Sequence, residues 1–88
     1  MPKDLRTQPL LKLNIRTRID PPRTSSVYSI TTKNSKGNFD ILPFHSNFVT
    51  MISGDIIVDK ELPTEKTIKM EKGILTVVSN TVDVYVGV

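Results

Sequence analysis

The chain has 88 residues, 38% hydrophobic and 24% charged, with a formal net charge of +3, no cysteine and a single histidine. That length allows one small domain, which removes only about 60–65% of its unfolded surface from water, and the balance is that of a folded globule rather than a disordered segment. Disulfide frameworks, thiolate metal centres and multi-histidine metal centres are excluded, and no run of about 18 apolar residues is available to cross a bilayer.

The opening residues, MPKDLRTQPL, contain no apolar stretch long enough for a signal-peptide core, so a soluble chain is expected. With two prolines and mixed charge, residues 1–9 read as a frayed arm, leaving residues 10–88 as a single domain. Leu11, Leu13 and Ile15 alternate with Lys12, Asn14 and Arg16, the pattern of a half-buried strand. Asp20-Pro21-Pro22 ends it, because proline cannot donate to a ladder. Val27 to Thr32 is rich in β-branched residues and reads as one second strand. Asn34 to Asn38 is a turn cluster in which Gly37 can take a positive φ.

Phe39 to Leu42 is a short extended piece stopped by Pro43. After a loop to Asn47, Phe48 to Ile52 is a further apolar stretch, and Ser53-Gly54-Asp55 turns the chain. Ile56 to Val58 is a strand, Asp59 to Glu65 a charged loop, and Thr67 to Met70 another strand. Gly73 is expected to open a hairpin. Ile74 to Val78 then runs out, Ser79-Asn80 turns, and Thr81 to Val86 returns with Val82, Val84 and Val86 on one face. No segment holds the i, i+3, i+4, i+7 spacing of an amphipathic helix. Short strands separated by turn signals predict an all-β sandwich or barrel.

Charge is unevenly placed: six of the twelve cations lie in residues 1–23, against Asp4 and Asp20. A basic lead suits nucleic acid, anionic lipid or an acidic protein face. The same charges at a strand edge also discourage edge-to-edge pairing. No aromatic residue is interleaved with these cations, which favours the solvated edge over a stacking platform for bases.

A catalytic constellation is hard to assemble. His45 has Ser46 beside it and Asp40 nearby, but neighbours on an extended chain point to opposite faces. The four glycines are well separated, so no phosphate cradle is present. Three of the five aromatic rings, Phe39, Phe44 and Phe48, cluster in one segment, as in a shaped loop at a protein–protein contact. Phe39 and Phe48 are expected to pack in the core, with Phe44 balanced between core and solvent.

The stretch Gly37 to Thr50, GNFDILPFHSNFVT, resembles the signature loop of the epsilon subunit of F-type ATP synthases. Downstream, Ile56-Ile57-Val58, Lys72-Gly73-Ile74-Leu75-Thr76-Val77 and Asn80-Thr81-Val82-Asp83-Val84 are similar to later family segments in order and spacing. Leu11 to Ile19 and the Val27/Ile30 pair occupy the places of its first two strands. The likeness covers about residues 10–87.

The resemblance implies a flattened β-sandwich of about ten short strands, a non-catalytic rotor piece with no cofactor. Such a piece sits against the gamma subunit and the polar loops of the membrane c-ring, coupling proton-driven rotation to the catalytic head. It implies a peripheral position at the cytoplasmic face of the inner membrane, without insertion and without nucleic acid. By position, Asn38 and His45 match residues near the family's c-ring contact, with Phe39, Asp40, Leu42 and Phe44 around them. Three positions depart from the pattern: Phe44 stands for a glycine, Asn38 for a common glutamate, and Lys72 for the first of two glycines. The family's C-terminal helical hairpin has no counterpart before Val88, so inhibition of hydrolysis and ATP binding are not carried over. A free-standing β-sandwich binding module and a basic nucleic-acid-binding barrel are the alternative readings.

Overall fold

Residues 11–18 and 21–87 are described by the structure, a computed structural model. The expected arm at residues 1–9 and the stop at Asp20 lie outside them. The described residues form nine strands and no helix: β1 (Leu11–Arg16), β2 (Arg23–Val27), β3 (Ile30–Asn34), β4 (Gly37–Ile41), β5 (Phe48–Ser53), β6 (Ile56–Val58), β7 (Lys66–Ile68), β8 (Lys72–Val78) and β9 (Thr81–Val86). One sheet has the order β2-β1-β9-β8-β5 and the other β4-β3-β6-β7. The all-β sandwich expected from the sequence is the fold.

Period-two alternation builds the core. Leu11 and Leu13 on β1, Val82 and Val84 on β9, Leu75 and Val77 on β8 and Ile52 on β5 turn inward from the first sheet. Ile30, Ile41, Ile56 and Val58 meet them from the second. Each such side chain contributes about 1.5–3 kcal/mol when fully buried, so the two apolar faces drive the sheets together.

Two expectations need correction. Val27 to Thr32 is not one strand: β2 ends at Val27 in the first sheet, and β3 begins at Ile30 in the second. Buried Asp59 fixes the break. Its Oδ1 accepts from the Tyr28 N–H at 2.7 Å and the Ser29 N–H at 3.2 Å, its N–H donates to Ser29 O at 3.0 Å, and Thr64 Oγ1 donates to its Oδ2 at 2.6 Å. A carboxylate with three donors satisfies the amides that a switch between sheets leaves unpaired. The remainder of the first strand in this pair, Arg23 to Ser26, is polar and exposed and carries no apolar signal.

Gly73 does not open a hairpin. It lies within β8, opposite Ile52 on one side and Val86 on the other. A Cβ there would come within 2.5 Å of the Tyr85 carbonyl oxygen, so glycine is required by close backbone approach rather than by a turn. Between strands, the turn glycines with positive φ are Gly37, at 121° where β3 hands over to β4, and Gly54, at 86° between β5 and β6. The β8–β9 hairpin closes through Ser79 and Asn80 with φ of 48° and 65°, the two positive values of a type I′ turn.

A fastened loop and an apolar sheet face as the candidate functional site

The loop from Leu42 to Asn47 carries the chain from one sheet to the other. His45 N–H donates to Leu42 O at 3.2 Å, closing a turn with Pro43 second and Phe44 third. Phe44 has φ 68°, the value that the third position of a type II turn demands and that glycine usually supplies. A phenylalanine there costs on the order of 1–2 kcal/mol, and external bonds hold it. Phe44 N–H donates to Asn80 Oδ1 at 2.6 Å, and Ser79 N–H donates to Asn47 Oδ1 at 3.0 Å. Asn80 O in turn accepts from Lys12 N–H at 2.9 Å. The loop is thereby tied to the β8–β9 turn and, through it, to the first strand.

Rings brace the base of the loop. His45 lies 5.0 Å from Phe48, and Phe48 meets Phe39 edge-on at 6.0 Å. Phe39 and Phe48 are partly buried against the core, as expected for packing side chains. Phe44 is 80% exposed and Leu42 51%. His45 Nδ1 sits 2.9 Å from Ser46 O.

Of the six site residues expected from the sequence, Phe39 and His45 are brought together through Phe48, and Phe44 projects beside them. Leu42 and Asp40 flank them on the outer face of the second sheet, where Thr31 Oγ1 donates to Asp40 Oδ1 at 2.7 Å. Asn38 is exposed but stands at the far end of β4, opposite Lys33 and next to the β3–β4 turn. Four residues of extended chain, about 13 Å, separate it from Leu42. Asn47, Ser79 and Asn80 hold the loop and have no signal in the sequence beyond turn propensity.

A second surface lies on the outer face of the five-stranded sheet. The registers Val49↔Thr76, Met51↔Ile74 and Ile74↔Tyr85 set these residues side by side, with Val78 two positions along from Thr76. Val49 is 65% and Met51 61% exposed, Val78 56% and Tyr85 41%. Toward β1 and β2 that face carries a bonded polar group. Asn14, buried, takes a bond from Thr24 Oγ1 at 2.8 Å and gives one to Asp83 Oδ1 at 2.9 Å. Arg16 pairs with Asp83 at 3.3 Å and lies over the Tyr85 ring at 5.7 Å. With Tyr85 engaged by Arg16 and the phenylalanines clustered at one edge, the rings form no ladder for stacked bases.

Among the described residues no helix is long and apolar enough to cross a membrane, and no group of three or more histidine, aspartate or glutamate side chains is placed to hold a metal. No family model and no curated protein matches the chain. Solved structures do. A chain in the cryo-EM structure of Euglena gracilis mitochondrial ATP synthase, OSCP/F1/c-ring in rotational state 1, superposes with a TM-score of 0.77 at 20% identity, covering 89% of this chain and 51% of that one. A chain in the Tetrahymena thermophila mitochondrial ATP synthase central stalk/c-ring structure gives 0.70 at 15% identity, covering 88% and 63%. The chain thus spans between half and two thirds of the length of these neighbours and shares their fold.

Proposed function

We propose that this chain is the β-sandwich part of an epsilon-type central-stalk subunit of an F-type ATP synthase, a non-catalytic element that passes rotation between a c-ring and the catalytic head. The fold it shares with chains of two ATP synthase assemblies supports this reading. The observation that carries it is the uncovered apolar strip Val49, Met51, Val78 and Tyr85. Free monomers rarely leave several hundred Å² of contiguous apolar surface in water, whereas a stalk subunit buries such a face against its neighbour. In this reading the strip meets the gamma subunit. The Leu42–His45 turn, with Asp40, Phe39 and Asn38 along β4, meets the polar loops of a proton-driven ring. The position is peripheral to the membrane, on the side of the catalytic head.

The mechanism asks for stiffness rather than chemistry. A loop that transmits lateral force must not yield, and the Phe44–Asn80 and Asn47–Ser79 bonds tie this one to a hairpin whose strands lie at the centre of the five-stranded sheet. Force on Phe44 or His45 therefore reaches the whole sandwich. Co-purification of the tagged chain with a gamma subunit and a c-ring tests the assignment. Retention of both is expected, and absence of any affinity for gamma would overturn it.

A further inference from the structure

Among the described residues, strands β2 and β7 each close one sheet, β2 pairing only with β1 and β7 only with β6. Between their free edges a cleft of about 410 Å³ runs over Ile15, Ile68 and Val86, with Arg23, Lys66 and Lys69 at its rim. A second cleft shares Ser25, Lys66 and Ile68 with it and continues along β2 to Val27. This seam breaks the rule that builds the rest of the sandwich. The register with β1 sets Arg23 opposite Ile15 and Ser25 opposite Leu13, so positions due to face the interior hold a cation and a hydroxyl, both exposed. At the opposite side of the molecule, Phe39 and Phe48 close the gap between the sheets. Here partly buried apolar side chains are left beneath an open rim.

Charge selects the occupant. Among the described residues the first cleft is lined by three cations and no carboxylate, and of those cations only Lys69 has an ion-pair partner there, Asp55 at 3.5 Å. We propose that the seam takes an extended acidic segment of a partner protein. Its backbone adds to the free edge of β2, an apolar side chain enters over Ile15, Ile68 and Val86, and flanking carboxylates meet Arg23, Lys66 and Lys69. The five residues of β2 offer about 16 Å of edge, enough for a short strand that turns alternate residues into the seam. The strip assigned above to the central stalk lies on the outer face of the same sheet, from β9 across to β5, so the two surfaces can be tested independently.

The probe is an acetylated peptide whose seam-facing residues are glutamate, valine and glutamate, separated by threonines, titrated into the isotope-labelled full chain. Saturable amide shifts are expected across Arg23–Val27 and Lys66–Ile68. A peptide with lysine in place of glutamate should bind at least about tenfold more weakly. The double variant R23E/K66E should lose about tenfold in affinity for the acidic peptide with an unchanged melting temperature, since both side chains are exposed. No saturable shift at millimolar peptide would overturn the proposal and leave these cations as guards against edge pairing. So would shifts confined to Phe44, Met51 or Tyr85, equal affinity for both peptides, or displacement of the acidic peptide by single-stranded DNA at the same amides.

Discussion

The Phe44 backbone N–H and the Asn80 side-chain carbonyl meet at 2.6 Å across 36 positions of sequence. Phe44 holds φ 68° and Asn80 φ 65°, so two residues in left-handed backbone stabilise one another. Asn80→Ala removes the acceptor and places a Cβ without a polar side chain at positive φ, which should cost about 1–2 kcal/mol. Asn80→Gly keeps the backbone at ease and should cost less. Urea midpoints compare the two, and in both variants the Phe44 amide should exchange with solvent faster.

His45→Ala should leave the fold intact. The His45 side chain is exposed, and its ring meets Phe48 and the neighbouring Ser46 carbonyl, so a stability change below about 1 kcal/mol is expected. In an assembled synthase the variant should weaken coupling of ring rotation to ATP synthesis while assembly is retained. An unfolded variant would show the ring to be a structural prop.

Asp59→Ala should be among the most damaging changes on the molecule. It strips the acceptor from Tyr28 N–H, Ser29 N–H and Thr64 Oγ1 at a buried corner. A loss of about 2–4 kcal/mol follows from the stranded donors, or a fall in melting temperature of roughly 10–30 °C for a domain of this size. Calorimetry checks it.

Gly73→Ala places a methyl group 2.5 Å from the Tyr85 carbonyl and 3.0 Å from Met70 Cε. The methionine end can move, whereas the β9 backbone cannot move without breaking its pairing with β1 and β8. A destabilisation of about 1–3 kcal/mol is expected, visible as a lower urea midpoint. An unchanged midpoint would mean that β8 and β9 separate easily at this point.

On the outer face, Val49→Thr combined with Met51→Gln should change stability by less than about 0.5 kcal/mol, because both side chains are largely in water. The same pair should weaken retention of a gamma subunit in co-purification. Unaltered retention would move the stalk contact to another surface.

Local pattern made most strands legible. Leu11-Lys12-Leu13 and Val82-Asp83-Val84 announce their inward faces by alternation, and Ser79-Asn80 announces the hairpin between β8 and β9. The edge strand β2 leaves no such trace, because Arg23 to Ser26 bury nothing and so need no apolar period. In the candidate site, Phe44 and His45 were visible as a proline-stopped aromatic loop. Asn47, Ser79 and Asn80 were not, because an amide that fastens a loop looks like any turn residue.

What the sequence determined by itself was the number and sidedness of most strands, since a period of two decides which side chains share a face whatever lies opposite. The tertiary structure decided everything that depends on distant neighbours. It sets β1 beside β9 in parallel, from Lys12↔Thr81 to Arg16↔Tyr85. It breaks Val27 from Ile30 with a carboxylate thirty residues away, and it makes Gly73 a point of close approach rather than a turn. These outcomes rest on bonds and packing between segments that meet only after long loops have closed. No local window of residues contains the energy that fixes them.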